Sequence, residues 1–141
     1  MKRTATAVWS GSGKEGGGHL TTQSGVLNKS KYTWSSRFAE GTGTNPEELI
    51  AAAHSGCFTM KLSFVLGEAG FTPDAIETTS TVTIESGTIL GSHLVVNAKV
   101  PGISKEKLEE CAANAKANCP VSKALGIPIT LEVSLTEKAL A

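Results

Sequence analysis

Residues 43–60, GTNPEELIAAAHSGCFTM, predict the start of the long helix around which the rest of the chain is arranged. Asn45 is a good N-cap, Pro46 suits the first helical position, and Glu48 stands where a capping box has an acid. A helix that is apolar nearly all round is buried on all sides. We therefore predict a central core helix that ends near Gly70, before Pro73. Its apolar residues are Leu49, Ile50, Ala51, Ala52, Ala53, Phe58, Met60, Leu62, Phe64, Val65 and Leu66.

Three polar residues share one side of this helix: His54, Cys57 and Lys61, at i, i+3 and i+4 spacing. Burial in apolar surroundings makes a thiol less acidic. Cys57 also lies about eleven residues past the cap, roughly 16 Å along the axis, where the helix dipole no longer acts. If Cys57 is a nucleophile, a cation must be brought to it. Inert packing of Cys57 and a hydrogen-bonded core role for His54 both stay open at this point.

Composition and charge exclude several classes of function. The chain has 141 residues, and its 13 basic and 13 acidic residues cancel, so nothing favours a nucleic-acid partner. No apolar run reaches the roughly 20 residues of a membrane span, and the first residues lack the apolar core of a signal peptide. We expect a single cytoplasmic domain over residues 1–141, with neither a nucleic-acid partner nor a membrane.

In the remaining sequence, apolar and polar residues alternate over several segments, which predicts strands that follow one another directly along the chain. We expect a β-β-β-α-β-β-α-β order and hence an α+β fold rich in antiparallel sheet. The loop at 11–18, GSGKEGGG, resembles a phosphate-binding loop only superficially, because Glu15 follows Lys14 where Ser or Thr is required. A hairpin loop is the better interpretation. The predicted strands cover residues 3–9, 19–23, 31–36, 78–85, 89–100 and 129–135, with a second helix after Ser104 and a short one at 120–125.

The three cysteines have three different settings. Cys119 precedes Pro120 at the N-cap of the short helix, where the positive end of the dipole favours a thiolate. Cys111 lies on the apolar stripe of the second helix and is most simply a core residue. A zinc site could use only Cys57, Cys119 and His54, without any Cys-x-x-Cys pair. From the residues alone, a redox thiol is a hypothesis and no more.

Six segments of the chain, in matching order nearly from end to end, resemble the OsmC family of the OsmC/organic hydroperoxide resistance superfamily. The resemblance implies an OsmC-like fold, in which antiparallel-rich sheets wrap around long central helices in an intertwined homodimer with active sites at the subunit interface. The segments are SGVLN (24–28), RF (37–38), GTNPEELIAAAHSGCF (43–58), LGEAGFTP (66–73), VPGIS (100–104) and AKANCPVSKAL (115–125).

The same resemblance implies a function in stress defence. It implies a thiol-dependent peroxidase that reduces organic hydroperoxides, and hydrogen peroxide less well, without a cofactor or metal. Position by position, Cys57 matches the peroxidatic cysteine and Cys119 the resolving cysteine, while Arg37 and Glu47 match the activating pair. An external dithiol, of lipoyl type in the organic hydroperoxide resistance branch, would reopen the disulfide. Cys111 has no such counterpart.

Simple arithmetic limits what Arg37 can do by ionising Cys57. A thiol with a pKa of about 8.5 is about 3% thiolate at pH 7, and a pKa of about 6 gives about 90%. This roughly thirty-fold gain is far below usual catalytic accelerations of about a million-fold. Arg37, oriented by Glu47, must therefore also hold the peroxide and stabilise the departing oxygen.

On one helix, Glu47 and Cys57 lie about 15 Å apart along the axis and about 80° apart around it. A single Arg37 side chain cannot easily contact both residues of the same chain. We therefore expect the Arg37–Glu47 pair to act on Cys57 of the other subunit.

The alternative function, of a different class, is a non-catalytic dimeric stress or thiol-ligand binding module with the same fold. A binding module needs no cation aimed at a buried thiol, so Arg37, Glu47, Cys57 and Cys119 together favour the peroxidase.

Overall fold

The structure, a computed structural model, describes residues 1–38 and 42–140. These residues form six strands and four helices, which confirms the α+β class and the predicted order of the long elements. The strands are β1 (Ala5–Ser10), β2 (Gly17–Thr22), β3 (Ser30–Tyr32), β4 (Ala75–Glu85), β5 (Thr88–Lys99) and β6 (Ile129–Leu135). The helices are α1 (Ser35–Phe38), α2 (Pro46–Glu68), α3 (Lys105–Asn118) and α4 (Pro120–Ala124).

The chain divides into two compact units, Met1–Leu49 and Ile50–Ala141, and the boundary falls within α2. The first unit contains an antiparallel sheet in the order β1-β2-β3. The glycine-rich segment that superficially resembles a phosphate loop connects β1 to β2, so the hairpin interpretation is confirmed. The second unit contains the sheet β4-β5-β6, in which β5 pairs antiparallel with β4 and parallel with β6.

The predicted strand at residues 31–36 is wrong in its second half. β3 ends at Tyr32, and the next turn begins the short helix α1. Thr33 and Ser36 cap this turn reciprocally: the backbone N–H of Ser36 donates to Thr33 Oγ1 at 3.2 Å, and that of Thr33 donates to Ser36 Oγ at 3.1 Å. This exchange is a capping box, which satisfies N–H groups that a strand would have paired with its neighbour.

The β4–β5 hairpin turns through Ser86 and Gly87, both of which have positive φ, at 49° and 77°. Two consecutive residues in this region form the turn type that matches the twist of the flanking strands. The predicted hairpin at Ser86-Gly87-Thr88 is therefore confirmed. The hairpin supplies one wall of the core of the second unit.

That core is built from α2, α3 and β5. Its buried apolar side chains are Phe58, Leu62, Val65, Leu66, Leu94, Val96, Ala98, Val100, Ile103, Leu108, Cys111, Ala112, Ala115 and Cys119. Leu108, Cys111, Ala112 and Ala115 form the apolar stripe predicted for α3, and Ser104 caps that helix by accepting from the Lys107 backbone N–H. The sequence pattern of α3 was therefore sufficient to identify its buried face.

The predicted burial of α2 on all sides is wrong for the chain by itself. Phe58, Leu62 and Leu66 are fully buried, but Met60 and Phe64 are 64% and 66% exposed. The helix therefore presents a second apolar face to its surroundings. Over its 23 residues α2 reaches the length and hydropathy of a membrane-spanning helix, although the sequence predicted no such span. Core helices of soluble proteins pass the same test, so this property is weak evidence for a membrane.

Candidate active site

In the first unit, Arg37 and Glu47 form an ion pair. Arg37 Nε donates to both carboxylate oxygens of Glu47, at 3.0 and 3.2 Å, and Nη2 donates to Oε1. The Glu47 side chain is only 8% exposed and that of Arg37 is 35% exposed. A bidentate contact of this kind fixes the plane of the guanidinium and therefore the direction in which its other N–H groups point.

The ion pair sets the charge of both partners. Hydrogen bonds from Arg37 lower the pKa of Glu47, although its burial acts in the opposite direction. The hydrogen bond to Glu47 in turn raises the pKa of Arg37 against the effect of desolvation. Both groups are therefore charged throughout the neutral pH range.

The N-terminus of α2 holds the ion pair in place. Asn45 Oδ1 accepts from the backbone N–H of Glu48 at 2.8 Å, so Asn45 is the N-cap that the sequence predicted. Asn45 Nδ2 donates to the backbone oxygen of Ser36 at 2.9 Å, which ties α2 to α1. The carboxylate of Glu48 accepts from Thr44 Oγ1 at 2.8 Å. One cap thus fixes the two helices that carry Arg37 and Glu47.

A cavity of about 180 Å³ lies beside Arg37 in the first unit. Aromatic side chains make up much of its wall, and two of them, Trp9 and Tyr32, pack edge to face with ring centroids 5.3 Å apart. An apolar group can therefore be held next to the guanidinium. The lining residues are Trp9, Gly13, Tyr32, Thr33, Trp34, Arg37 and Pro46.

In the second unit, Cys57 on α2 and Cys119 before α4 lie 3.0 Å apart between their sulfur atoms. Both are free thiols, and 62 residues of sequence separate them. Cys119 is completely buried, whereas Cys57 is partly exposed. Cys119 is the N-cap of α4, as predicted. Two thiols this close can form a disulfide after a small movement of either side chain.

The two thiols differ in acidity. Burial raises the pKa of Cys57, and its contact with Cys119 raises it further. Burial also acts to raise the pKa of Cys119, but hydrogen bonding from Cys57, Ser122 and Val121 outweighs it and lowers that pKa. The raised pKa of Cys57 agrees with the sequence argument that Cys57 has no help from its own helix.

His54 is completely buried and both of its ring nitrogens are hydrogen-bonded. Nδ1 lies 2.7 Å from Ser92 Oγ, and Nε2 lies 2.8 Å from Ser122 Oγ. Desolvation lowers the pKa of His54, so the ring is neutral. With both nitrogens in use, His54 has no position left for zinc. Within residues 1–38 and 42–140, no group of three or more His, Cys, Asp or Glu side chains could hold a metal ion.

Sequence reasoning missed Ser92 and Ser122. Ser122 could have been found, because it lies three residues after an N-cap cysteine, where side chains turn back toward the cap. Ser92 gave no signal beyond its place in an alternating strand. The prediction of Cys111 as a core residue is consistent with its 3% exposure, and burial raises the pKa of its thiol.

The sequence profile described as "OsmC-like protein" matches residues 39–134 of this chain. The chain belongs to the OsmC family. It is 47% identical over 139 residues to "Peroxiredoxin OsmC" of Escherichia coli (strain K12), an alignment that covers 96% of this chain and 97% of that one. The resemblance stated from the six sequence segments is thereby confirmed.

Solved structures agree with this OsmC-family assignment. The crystal structure of the organic hydroperoxide resistance protein OhrB of Bacillus subtilis has a TM-score of 0.66 and 31% identity, covering 94% of this chain and 98% of that one. An OsmC-like protein from Mycoplasma pneumoniae reaches a TM-score of 0.77 at 14% identity, covering 97% and 99%. At 14% identity, the similarity to the Mycoplasma pneumoniae protein shows the fold alone.

Proposed function

We propose that this chain is a thiol-dependent peroxidase that reduces organic hydroperoxides to alcohols, with Cys57 as the peroxidatic and Cys119 as the resolving cysteine. The observation that carries the proposal is the 3.0 Å approach of the two free thiols in a member of the OsmC family. The names of its relatives, peroxiredoxin and organic hydroperoxide resistance protein, point to the same chemistry. They also favour an enzyme over a non-catalytic binding module.

The cycle has three steps. The Cys57 thiolate attacks one peroxide oxygen, the O–O bond breaks, and the alkoxide takes up a proton and leaves as alcohol, so that Cys57 becomes a sulfenic acid. The Cys119 thiolate then attacks the sulfenic sulfur, the S–S bond forms, and hydroxide leaves as water after protonation. An external dithiol, for which we propose the lipoyl type, reduces the disulfide and is itself oxidised to a disulfide.

Arg37 is the proposed source of the positive charge that Cys57 lacks. Its guanidinium keeps its charge in any surroundings, and Glu47 holds it by two hydrogen-bonding contacts from Nε. A cation beside Cys57 would lower the pKa of its thiol and so favour the Cys57 thiolate. The same guanidinium would hold the peroxide and stabilise the oxygen that leaves.

We propose a homodimer with its active sites at the subunit interface. The support is the second apolar face of α2, where Met60 and Phe64 are largely exposed one turn apart. Exposed apolar surface of this kind on a core helix is typical of an interface. A second copy of the same chain would cover it with its own α2. Residues 1–141 would then act as one cytoplasmic domain in which each chain completes the site of the other.

One equivalent of tert-butyl hydroperoxide is expected to join Cys57 to Cys119. Intact mass under non-reducing conditions should fall by about 2 Da, and peptide mapping should place the bond between these residues. In the Cys119→Ser variant the same treatment should add about 16 Da instead, as a sulfenic acid at Cys57. An unchanged mass in the parent protein after excess peroxide would make the non-catalytic binding module the better description.

Organic hydroperoxides are expected to react faster than hydrogen peroxide. The aromatic cavity beside Arg37 favours an alkyl group, and an apolar contact of this kind changes kcat/KM by about ten-fold or more. Measuring kcat/KM for cumene hydroperoxide, tert-butyl hydroperoxide and hydrogen peroxide with one dithiol reductant tests the order. A higher value for hydrogen peroxide would refute it.

A further inference from the structure

Two side-chain contacts join α2 to the segment that contains Cys119 and α4. The sulfur atoms of Cys57 and Cys119 lie 3.0 Å apart, and His54 Nε2 lies 2.8 Å from Ser122 Oγ. His54 stands three residues before Cys57, and Ser122 stands three residues after Cys119. Residues three apart share one face of a helix, about 4.5 Å apart along its axis. The contact of His54 with Ser122 therefore lies about one helical turn from the contact between the two thiols.

The connection between α3 and α4 makes this second contact important. α4 has five residues, and Cys119 joins it to α3 with the extended φ and ψ of −62° and 124°. A single extended residue between two helices is a joint at which the shorter helix can turn. Val121 packs against the core, but apolar contact is non-directional and sets no angle.

The hydrogen bond to His54 sets the direction that apolar packing leaves open. Within residues 1–38 and 42–140, Ser122 is the residue of α4 whose side chain is hydrogen-bonded to another element. His54 is completely buried and Ser122 is 8% exposed, so water does not compete for this bond. The bond therefore fixes α4 against α2, and with it the place of Cys119 at the start of α4.

We propose that His54 and Ser122 are positioning residues, whose hydrogen bond holds α4 against α2 and so keeps Cys119 within reach of the Cys57 sulfur. The inference rests on the proposed function, in which the Cys119 thiolate attacks the Cys57 sulfenic acid. In that step the S–S bond forms, the S–O bond breaks and hydroxide leaves. The His54–Ser122 pair supplies no electrons and is unchanged when Cys57 carries the sulfenic oxygen.

The size of the expected effect follows from the distance that the sulfur atoms must cover. They approach from 3.0 Å to the length of a disulfide bond, about 2.05 Å. A misplacement of about 1 Å can slow a reaction about a hundred-fold. A turn of α4 about its joint displaces Cys119 by a distance of this order, so loss of the hydrogen bond is measurable as a slower attack.

The test follows the attack of Cys119 on Cys57 without peroxide, in a Cys111→Ala background that removes the third thiol. Dithiobis(nitrobenzoate) reaches the partly exposed Cys57 first, because Cys119 is completely buried. The Cys57 thiolate breaks the S–S bond of the reagent, forms a mixed disulfide and releases one coloured thionitrobenzoate anion. The Cys119 thiolate then attacks the Cys57 sulfur, and a second thionitrobenzoate anion leaves. This second release is first-order and forms the same S–S bond as the proposed cycle.

Ser122→Ala is expected to slow the second release by about ten-fold, while the first release, which involves Cys57 alone, keeps the parent rate. The rates are compared on the plateau where a higher pH no longer increases them, so that Cys119 is ionised in every variant. A change in thiol acidity leaves the plateau rates equal. A change in the position of Cys119 separates them.

The matched control is Ser92→Ala. Ser92 Oγ lies 2.7 Å from His54 Nδ1, so this variant removes a buried hydroxyl from the same ring but keeps the bond to α4. Its second release should proceed at close to the parent rate. Equal plateau rates for Ser122→Ala and Ser92→Ala would show that the hydrogen bonds of His54 only stabilise the core, and would overturn the inference.

A second pair of variants keeps the test decisive if Ser122→Ala does not fold. Ser122→Thr and Ser122→Val match in shape and differ by the hydroxyl. The threonine variant is expected to complete the second release about ten-fold faster than the valine variant. Equal rates for this pair would also overturn the inference.

Because this experiment needs no peroxide, its result is separate from that of the proposed function. If the chain forms no disulfide with peroxide but Ser122→Ala still slows the second release, the positioning role stands and the peroxidase does not. If peroxide forms the disulfide and Ser122→Ala keeps the parent rate, the peroxidase stands and the positioning role fails. A parent protein that releases only one anion would also contradict the positioning role.

Discussion

Replacing Cys57 with serine is expected to lower kcat/KM for an organic hydroperoxide by about a thousand-fold or more, to the level of the buffer. A serine hydroxyl is not ionised at neutral pH and is a poor nucleophile toward oxygen. Cys119→Ser is expected to behave differently. It should consume one equivalent of peroxide per chain at close to the parent rate and then stop at the sulfenic acid, since no thiol is present to resolve it.

Comparing the Cys57→Ser and Cys119→Ser variants is informative because the acidity of the two thiols within the second unit favours the opposite assignment, with Cys119 as the peroxidatic cysteine. The groups of that unit raise the pKa of Cys57 and lower that of Cys119. Solvent exposure favours Cys57 as the peroxidatic cysteine, because Cys119 is completely buried and peroxide must reach the sulfur that it oxidises. Stopped-flow single turnovers followed by peptide mapping decide between the two. A Cys57→Ser protein that still consumes one equivalent and carries its sulfenic acid on Cys119 would reverse the roles. Cys111→Ser is the control and should match the parent.

Local sequence signals were sufficient for the elements that are stabilised locally. The N-cap at Asn45, the break near Gly70 and the turn at Ser86-Gly87 all depend on residues within a few positions of one another. The short helix α1 was missed because Thr33 and Ser36 could equally have continued an alternating strand. What decides against the strand is their reciprocal capping together with the hydrogen bond from Ser36 Oγ to the Thr44 oxygen at 2.9 Å.

The site could be predicted only as far as single residues allow. The resemblance implied Arg37 with Glu47 and Cys57 with Cys119, and the structure brings each pair into contact while their roles remain proposals. The two hydrogen bonds of His54 are made with Ser92 and Ser122, which lie 38 and 68 residues away and which only tertiary packing brings to the ring. For the same reason, the sequence could not show that one apolar face of α2 stays uncovered within a single chain.

Replacing Arg37 with alanine is expected to lower kcat/KM by about a hundred- to a thousand-fold, the usual cost of losing a group that stabilises the leaving oxygen. Two parts of this loss can be separated by pH. Without the cation, burial and the contact with Cys119 keep the pKa of Cys57 raised, so the thiolate fraction at neutral pH falls and recovers as the pH rises. A higher pH should therefore restore about thirty-fold at most, and the remainder is lost peroxide binding. Full recovery at high pH would show that Arg37 only ionises Cys57.

Mixed dimers decide which subunit supplies Arg37. A dimer of one Arg37→Ala chain and one Cys57→Ser chain, purified with two different affinity tags, is expected to have about half the parent activity. In that dimer the intact Cys57 faces the intact Arg37 of its partner only if Arg37 acts across the interface. The control places both substitutions in one chain and pairs it with an unmodified chain. Action across the interface predicts no activity there, because the only Cys57 faces an alanine, whereas action within one chain predicts about half. The two dimers have identical composition, so a difference between them comes from the arrangement of the site and not from stability. An inactive first dimer with an active control would place Arg37 and Cys57 of each site in the same chain.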